Sequence, residues 1–253
     1  MREEKKKSKI FLYFLLIVVI IFILNFLILF AGKYDKIEEK IEEKENFIKN
    51  ENLTIVRMNL PAVDNEGKGV STILKVELKK GDGKTLVDID DLLFWADTQH
   101  SIRIAKLVAE NITKISTSNV DLIYSVEANA SLIGGPSAGA AIALTTIFAL
   151  SGEKPREDVM ITGTINHDGS IGPVSAIFEK AKAAKQANIK VFLVPLLQSR
   201  DVIYETRKYC EKFGFTEICT QETVPKKVDV AKEAGIEIVE VANIEEALRY
   251  FES

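Results

Sequence analysis

The chain has 253 residues, 47% of them hydrophobic and 28% charged, with a formal net charge of −4. That balance excludes a general nucleic-acid partner, which would need a basic face. Two cysteines, Cys210 and Cys219, and two histidines, His100 and His167, are too few for a Cys/His zinc site with the usual spacing, so neither a metal nor a cofactor is expected.

Residues 1–9 form a basic tail with Arg2, Lys5, Lys6, Lys7 and Lys9. Residues 10–32 carry no charge and are almost wholly apolar. At about 1.5 Å per residue such a helix crosses a hydrocarbon core of about 30 Å. The run is longer than a signal-peptide core and lacks a clean small-x-small site, so it reads as a retained, single-pass transmembrane anchor. The basic tail favours a cytoplasmic N-terminus and an extracytoplasmic C-terminal domain, although Lys33, Lys36, Lys40, Lys44 and Lys49 follow the anchor. Sequons starting at Asn52, Asn111 and Asn129 suit that external face. Residues 33–50 predict a helical stalk with Ile37, Ile41 and Ile48 near one face. A solvated spacer and a short coiled coil that aids oligomerisation both fit it.

Residues 51–253 suit one α/β (α+β) domain. Strands are predicted at 53–63 and 69–79, with Gly81-Asp82-Gly83-Lys84 as a hairpin turn into a strand at 85–90. A helix at 98–115 offers Ile102, Ala105, Leu107, Val108 and Ile112 to the core, and a strand follows at 120–127. A glycine-rich turn opens a helix at 137–151, closed by Gly152. Strands at 158–162 and 165–172, with Asp168-Gly169 as a turn, precede a helix at 175–187 and a buried strand at 190–194. The tail predicts helices at 199–212, 226–234 and 243–251 and a strand at 236–241. Cys210 and Cys219 fit either a disulfide or two separate buried thiols.

The sharpest local feature is Gly134-Gly135-Pro136-Ser137-Ala138-Gly139, which leads into an Ala-rich helix. Ser137 then lies at or near a helix N-terminus, where free N–H groups can hold an anion such as the oxyanion of acyl transfer. The bland alternative is a simple N-cap. No Gly-Lys-Ser/Thr follows these glycines, so they are not a phosphate loop. Gly83-Lys84-Thr85 imitates the end of one, but Leu78 stands where its first glycine belongs.

A nucleophilic serine needs a base. His167 lies beside a turn and His100 starts a helix, so a histidine triad has little support. In the 175–187 helix, Lys180 has Ala176, Ile177, Ala183 and Ala184 three and four residues away, all apolar. Lys182 and Lys185 face polar neighbours and point toward water. A buried lysine loses basicity and becomes a usable base, though a snorkelling lysine with a packed stem fits the same spacing.

These segments resemble the Lon-type proteolytic domain, a Ser-Lys dyad peptidase. The matching motifs are Gly135-Pro136-Ser137-Ala138-Gly139, Val159-Met160-Ile161-Thr162-Gly163, Gly169-Ser170-Ile171-Gly172-Pro173-Val174, Glu179-Lys180 and Ile189-Lys190-Val191-Phe192-Leu193-Val194-Pro195, with a 43-residue step from Ser137 to Lys180. The likeness covers about residues 97–195 well, residues 51–96 loosely and the segment after 199 only loosely. It is nearest to archaeal, membrane-anchored Lon-like proteases without an ATPase domain, a subgroup that Asp97-Thr98-Gln99-His100-Ser101 also fits.

The resemblance implies a Lon-like fold behind the anchor, with Ser137 as nucleophile and Lys180 as general base. It gives Thr162 the role of orienting the lysine and makes the Ser137 and Ala138 amides candidates for the oxyanion hole, with Gly135 and Pro136 shaping the turn. Polypeptide substrates, ATP-independent cleavage and a homo-oligomeric ring are the corresponding expectations. Many Lon domains carry an acidic residue where this chain has Gly134, so regulation of the loop is expected to differ. The alternative is a non-catalytic, membrane-tethered Lon-like binding or scaffold domain.

Overall fold

A computed structural model describes residues 53–89, 96–127 and 135–252, together with Phe22 and Phe26, which are helical. Apart from Phe22 and Phe26, the expected anchor lies outside the described residues, as do the stalk, Gly134, Asn52 and Asn129. Among those described, no helix is long and apolar enough to cross a membrane. The described residues from 53 onward form one compact unit.

A mixed α/β domain is built on a four-stranded sheet. β1 (Leu53–Val63) and β2 (Gly69–Lys80) form an antiparallel hairpin, and β2 also pairs antiparallel with β4 (Val120–Glu127). β3 (Thr85–Val87) lies beyond β4 and runs parallel to it, giving the order β1-β2-β4-β3. The expected hairpin at 81–84 is therefore corrected: the turn steps across the end of β4 instead of returning along β2. The Asp121 carboxylate causes this, because it accepts the N–H groups of Asp82 (3.0 Å) and Lys84 (2.8 Å) and ties the turn to β4.

α1 (Ala96–Thr113) packs on α2 (Gly139–Ser151), which in turn packs on β1 and β2 of this sheet. α2 is apolar on every side, and twelve of its residues, Gly139 through Leu150, are buried. Its two internal threonines satisfy their hydroxyls on Ala141 O and Ile142 O, and the Tyr124 hydroxyl meets Thr146 at 3.0 Å. α1 buries Ile102, Ala105 and Val108 as expected, with Ile112 packed at the edge, but Leu107 is 52% exposed.

A second, parallel sheet has the order β11-β8-β5, from β5 (Val159–Ile161), β8 (Val191–Pro195) and β11 (Glu237–Val241). α3 (Ile177–Gln186) covers it, burying Ile177, Ala181 and Ala184 against Met160, Phe192 and Val194. A short hairpin joins β6 (Thr164–Ile165) to β7 (Ile171–Gly172), with β6 against α1 and α2. α4 (Val230–Ala234) and α5 (Ile244–Phe251) end the chain, capped by the side chains of Asp229 and Asn243.

The tail differs from its sequence expectation. Residues 199–212 are not a helix but most of β9 (Arg200–Phe213), which pairs antiparallel with β10 (Thr216–Asp229) over 14 residues each. The expected helix at 226–234 is strand as far as Asp229 and helix only in α4. Cys210 and Cys219 face each other across this hairpin and form a disulfide.

Candidate active site

Ser137 sits on a single 3-10 turn, Pro136–Ala138, that runs directly into α2. Gly135 precedes it at φ 116°, ψ 155°, a conformation open essentially to glycine alone. Gly139 follows it where an added Cβ would lie 2.7 Å from Ile165, so the turn presses directly on β6. Gly135 and Ala138 cap the two helical segments without side-chain capping bonds, so Ser137 caps neither. That removes the simple N-cap reading.

The turn is anchored through its carbonyls. Ser137 O accepts from Gly163 N at 3.0 Å and from Thr162 Oγ1 at 3.3 Å, while Gly135 O accepts from Thr98 Oγ1 at 3.3 Å. Ala140 N donates to Gly163 O at 3.0 Å. The Thr162-Gly163 segment at the end of β5 is thus clipped to both sides of the serine turn.

Lys180 is on the buried face of α3 and only 4% exposed. Burial pushes its amine down from 10.5 to about 8. Nζ donates to Thr162 Oγ1 at 3.3 Å, so the same hydroxyl accepts from Lys180 and donates to Ser137 O. Thr162 is wholly buried. Among the described residues no hydrogen bond joins Lys180 directly to Ser137, but both line one cavity of about 390 Å³ with Gly135, Pro136 and Ala138. The snorkelling alternative does not hold, since the amine itself is buried. Lys182, by contrast, is paired with Glu179 over the Phe178 ring, and Lys185 is exposed.

The rest of the cavity wall is mostly apolar, with Leu60, Ala62, Val126 and Ile142 on one side and Pro173–Ala176 on the other. That second wall is held by side chains that the sequence reading missed. Gln198 grips Val174 from both sides, accepting its N–H at 2.9 Å and donating to its carbonyl at 2.7 Å. Asp201 accepts the Phe178 N–H at 2.9 Å at the start of α3. Glu240 accepts the N–H groups of Leu197 (3.0 Å) and Ser199 (2.8 Å), fixing the loop that carries Gln198. Side-chain amides and carboxylates bound to remote backbone leave no pattern in sequence.

The histidines stand apart from this cavity. His100 and His167 are exposed, with ring centroids 6.5 Å apart, and His167 lines a separate hollow of about 150 Å³ with Asn111, Asp168, Asn243 and Glu245. Chemically, the main cavity joins a hydroxyl at a helix start to a buried amine of lowered basicity, the ingredients of acyl transfer without metal or histidine.

Comparison with known proteins agrees with the sequence resemblance. Residues 96–231 match the Lon protease (S16) C-terminal proteolytic domain. The chain is 28% identical to the archaeal Lon protease of Thermococcus kodakarensis over 222 residues, 84% of this chain and 34% of that one. It is 28% identical to the archaeal Lon protease of Pyrococcus abyssi over 199 residues, 76% of this chain and 19% of that one. Lon protease 2 of Syntrophobacter fumaroxidans is 37% identical over 82 residues, 32% of this chain and 10% of that one. The chain thus spans about a third or less of the length of these relatives. With more than half of its residues matched, it belongs to the family of Lon protease (S16) C-terminal proteolytic domains.

Proposed function

We propose that this chain is a membrane-anchored, ATP-independent serine endopeptidase that hydrolyses peptide bonds of unfolded or flexible polypeptides with a Ser137–Lys180 dyad. The observation that carries the reading is the buried Lys180 amine, held at about 8 and bonded to the hydroxyl that also bonds Ser137 O. An exposed surface lysine stays almost fully charged at neutral pH, whereas this one is roughly one-tenth neutral at pH 7. Neutral Lys180 takes the proton of the Ser137 hydroxyl as the oxygen attacks the scissile carbonyl. N–H groups at the helix start steady the oxyanion. The ammonium returns its proton to the leaving amine, and water then releases the acyl group by the same path reversed.

Anchoring rests on the uncharged apolar run 10–32, and ATP independence on the resemblance to Lon-like proteases that lack an ATPase domain. The extracytoplasmic placement of the domain rests on the basic tail. A mostly apolar cavity wall suits uncharged side chains of an extended chain. Cleavage of casein by the full chain tests the reading: Ser137→Ala abolishes it while the thermal midpoint is kept. Unchanged cleavage by Ser137→Ala removes the peptidase reading and leaves the tethered binding domain.

A further inference from the structure

The β9–β10 hairpin is anchored only near its root. Asp201 bonds α3 there and Val228 is buried, but all residues from 206 to 223 are exposed. A two-stranded ribbon of this length is marginal in water without a third partner. The Cys210–Cys219 cross-link and the Lys226–Glu205 ion pair at 2.7 Å hold its strands in register.

Its far end is aromatic. Pairing puts Phe213 opposite Thr216, Glu211 opposite Ile218 and Tyr209 opposite Thr220. Directly paired residues share a face and faces alternate, so Tyr209, Phe213 and Ile218 project from one side. Phe215 stands in the turn beside Gly214, which has φ 63°, and is fully exposed. Lys208 and Lys212 flank the disulfide on the opposite face. No step of peptide hydrolysis uses these residues.

We propose that this aromatic tip inserts into the headgroup region of the bilayer that residues 10–32 cross. Aromatic rings favour the water–lipid boundary; Glu211 and Glu217 balance Lys208 and Lys212 at this end, so the rings and not the charges drive insertion. The tip is a convex end of a ribbon, whereas strong protein interfaces seat their aromatic anchors in fitted pockets. A chain already tethered to the membrane holds the tip near lipid at high effective concentration, so a few side chains suffice for insertion. The proposal rests on the anchor reading of residues 10–32. It makes the hairpin a second, non-covalent foot whose root, through Asp201, holds the first turn of the helix that carries Lys180.

The test uses the full chain reconstituted in vesicles of phosphatidylcholine and phosphatidylglycerol, with or without brominated acyl chains. The native tryptophan is removed by Trp95→Phe, and a reporter is placed by Phe215→Trp at the tip or Tyr204→Trp near the root. Flotation of the same samples reads the anchor separately. The proposal expects the chain to float, and expects brominated lipid to quench the tip emission while leaving the root emission unchanged. Equal quenching at the two positions in a floating chain overturns the tip proposal and leaves the anchor intact. So does a blue shift at the tip that grows with protein density without lipid quenching, which marks a second copy as the occupant. A chain that fails to float overturns both.

Discussion

Lys180 Nζ and Thr162 Oγ1 lie 3.3 Å apart in the interior of the domain, and the same threonine hydroxyl bonds Ser137 O at 3.3 Å. One side chain therefore links the helix that bears the amine to the turn that bears the hydroxyl. Both side chains are buried, so the cost of charging the amine falls on the folded state.

That cost has a measurable sign. The folded pKa of Lys180, about 8, lies below its ordinary 10.5. The unfolded chain binds more protons between those values, so stability rises with pH from 8 to 10.5 and the penalty is fully present below 8. The difference corresponds to on the order of 3 kcal/mol. Lys180→Met is expected to be at least as stable as the parent at pH 7, with an advantage that shrinks toward pH 10.5, as read by urea unfolding at both ends. A constant difference across that range contradicts the buried amine.

Thr162→Val keeps the shape of the side chain and removes its hydroxyl. Ser137 O still has the Gly163 N–H, so the turn stays in place, but the amine loses its acceptor. kcat/KM for a peptide substrate is expected to fall about 10- to 100-fold, the scale of a misplaced catalytic group. Thr162→Ser keeps donor and acceptor and is expected to retain most of the activity.

Gln198 acts further out, on the cavity wall. Gln198→Leu deprives Val174 of both partners and loosens the wall opposite Leu60. A rise of about 10-fold in KM, equivalent to about 1.4 kcal/mol of binding, is expected with the pH dependence of kcat unchanged. A loss confined to kcat contradicts a role in the wall.

Much of this site was legible in the amino-acid sequence. The apolar neighbours of Lys180 at three and four residues placed it on the buried face, and the Gly-Pro-Ser-Ala-Gly segment placed Ser137 at a helix start. The hairpin at 200–229 was not legible, because Lys, Arg and Glu at 200–212 are good helix formers. Pairing with Thr216–Asp229, which is rich in Thr, Ile and Val, overrides that preference. β3 was misjoined because Gly81-Asp82-Gly83 specifies a turn without naming the strand it serves. The remote carboxylate of Asp121 supplies that information. Gln198, Asp201 and Glu240 act on backbone far away in sequence and carry no motif.

The central claim is that Lys180 activates Ser137. Its most direct test is the rate at which a serine-directed phosphonate or fluorophosphonate labels Ser137 in the full chain as pH is raised from 6 to 10. The account predicts a rate that climbs with an apparent pKa near 8, as neutral amine accumulates, and labelling lost in Lys180→Ala. Labelling of Lys180→Ala at the parental rate, with the same rise, would contradict it.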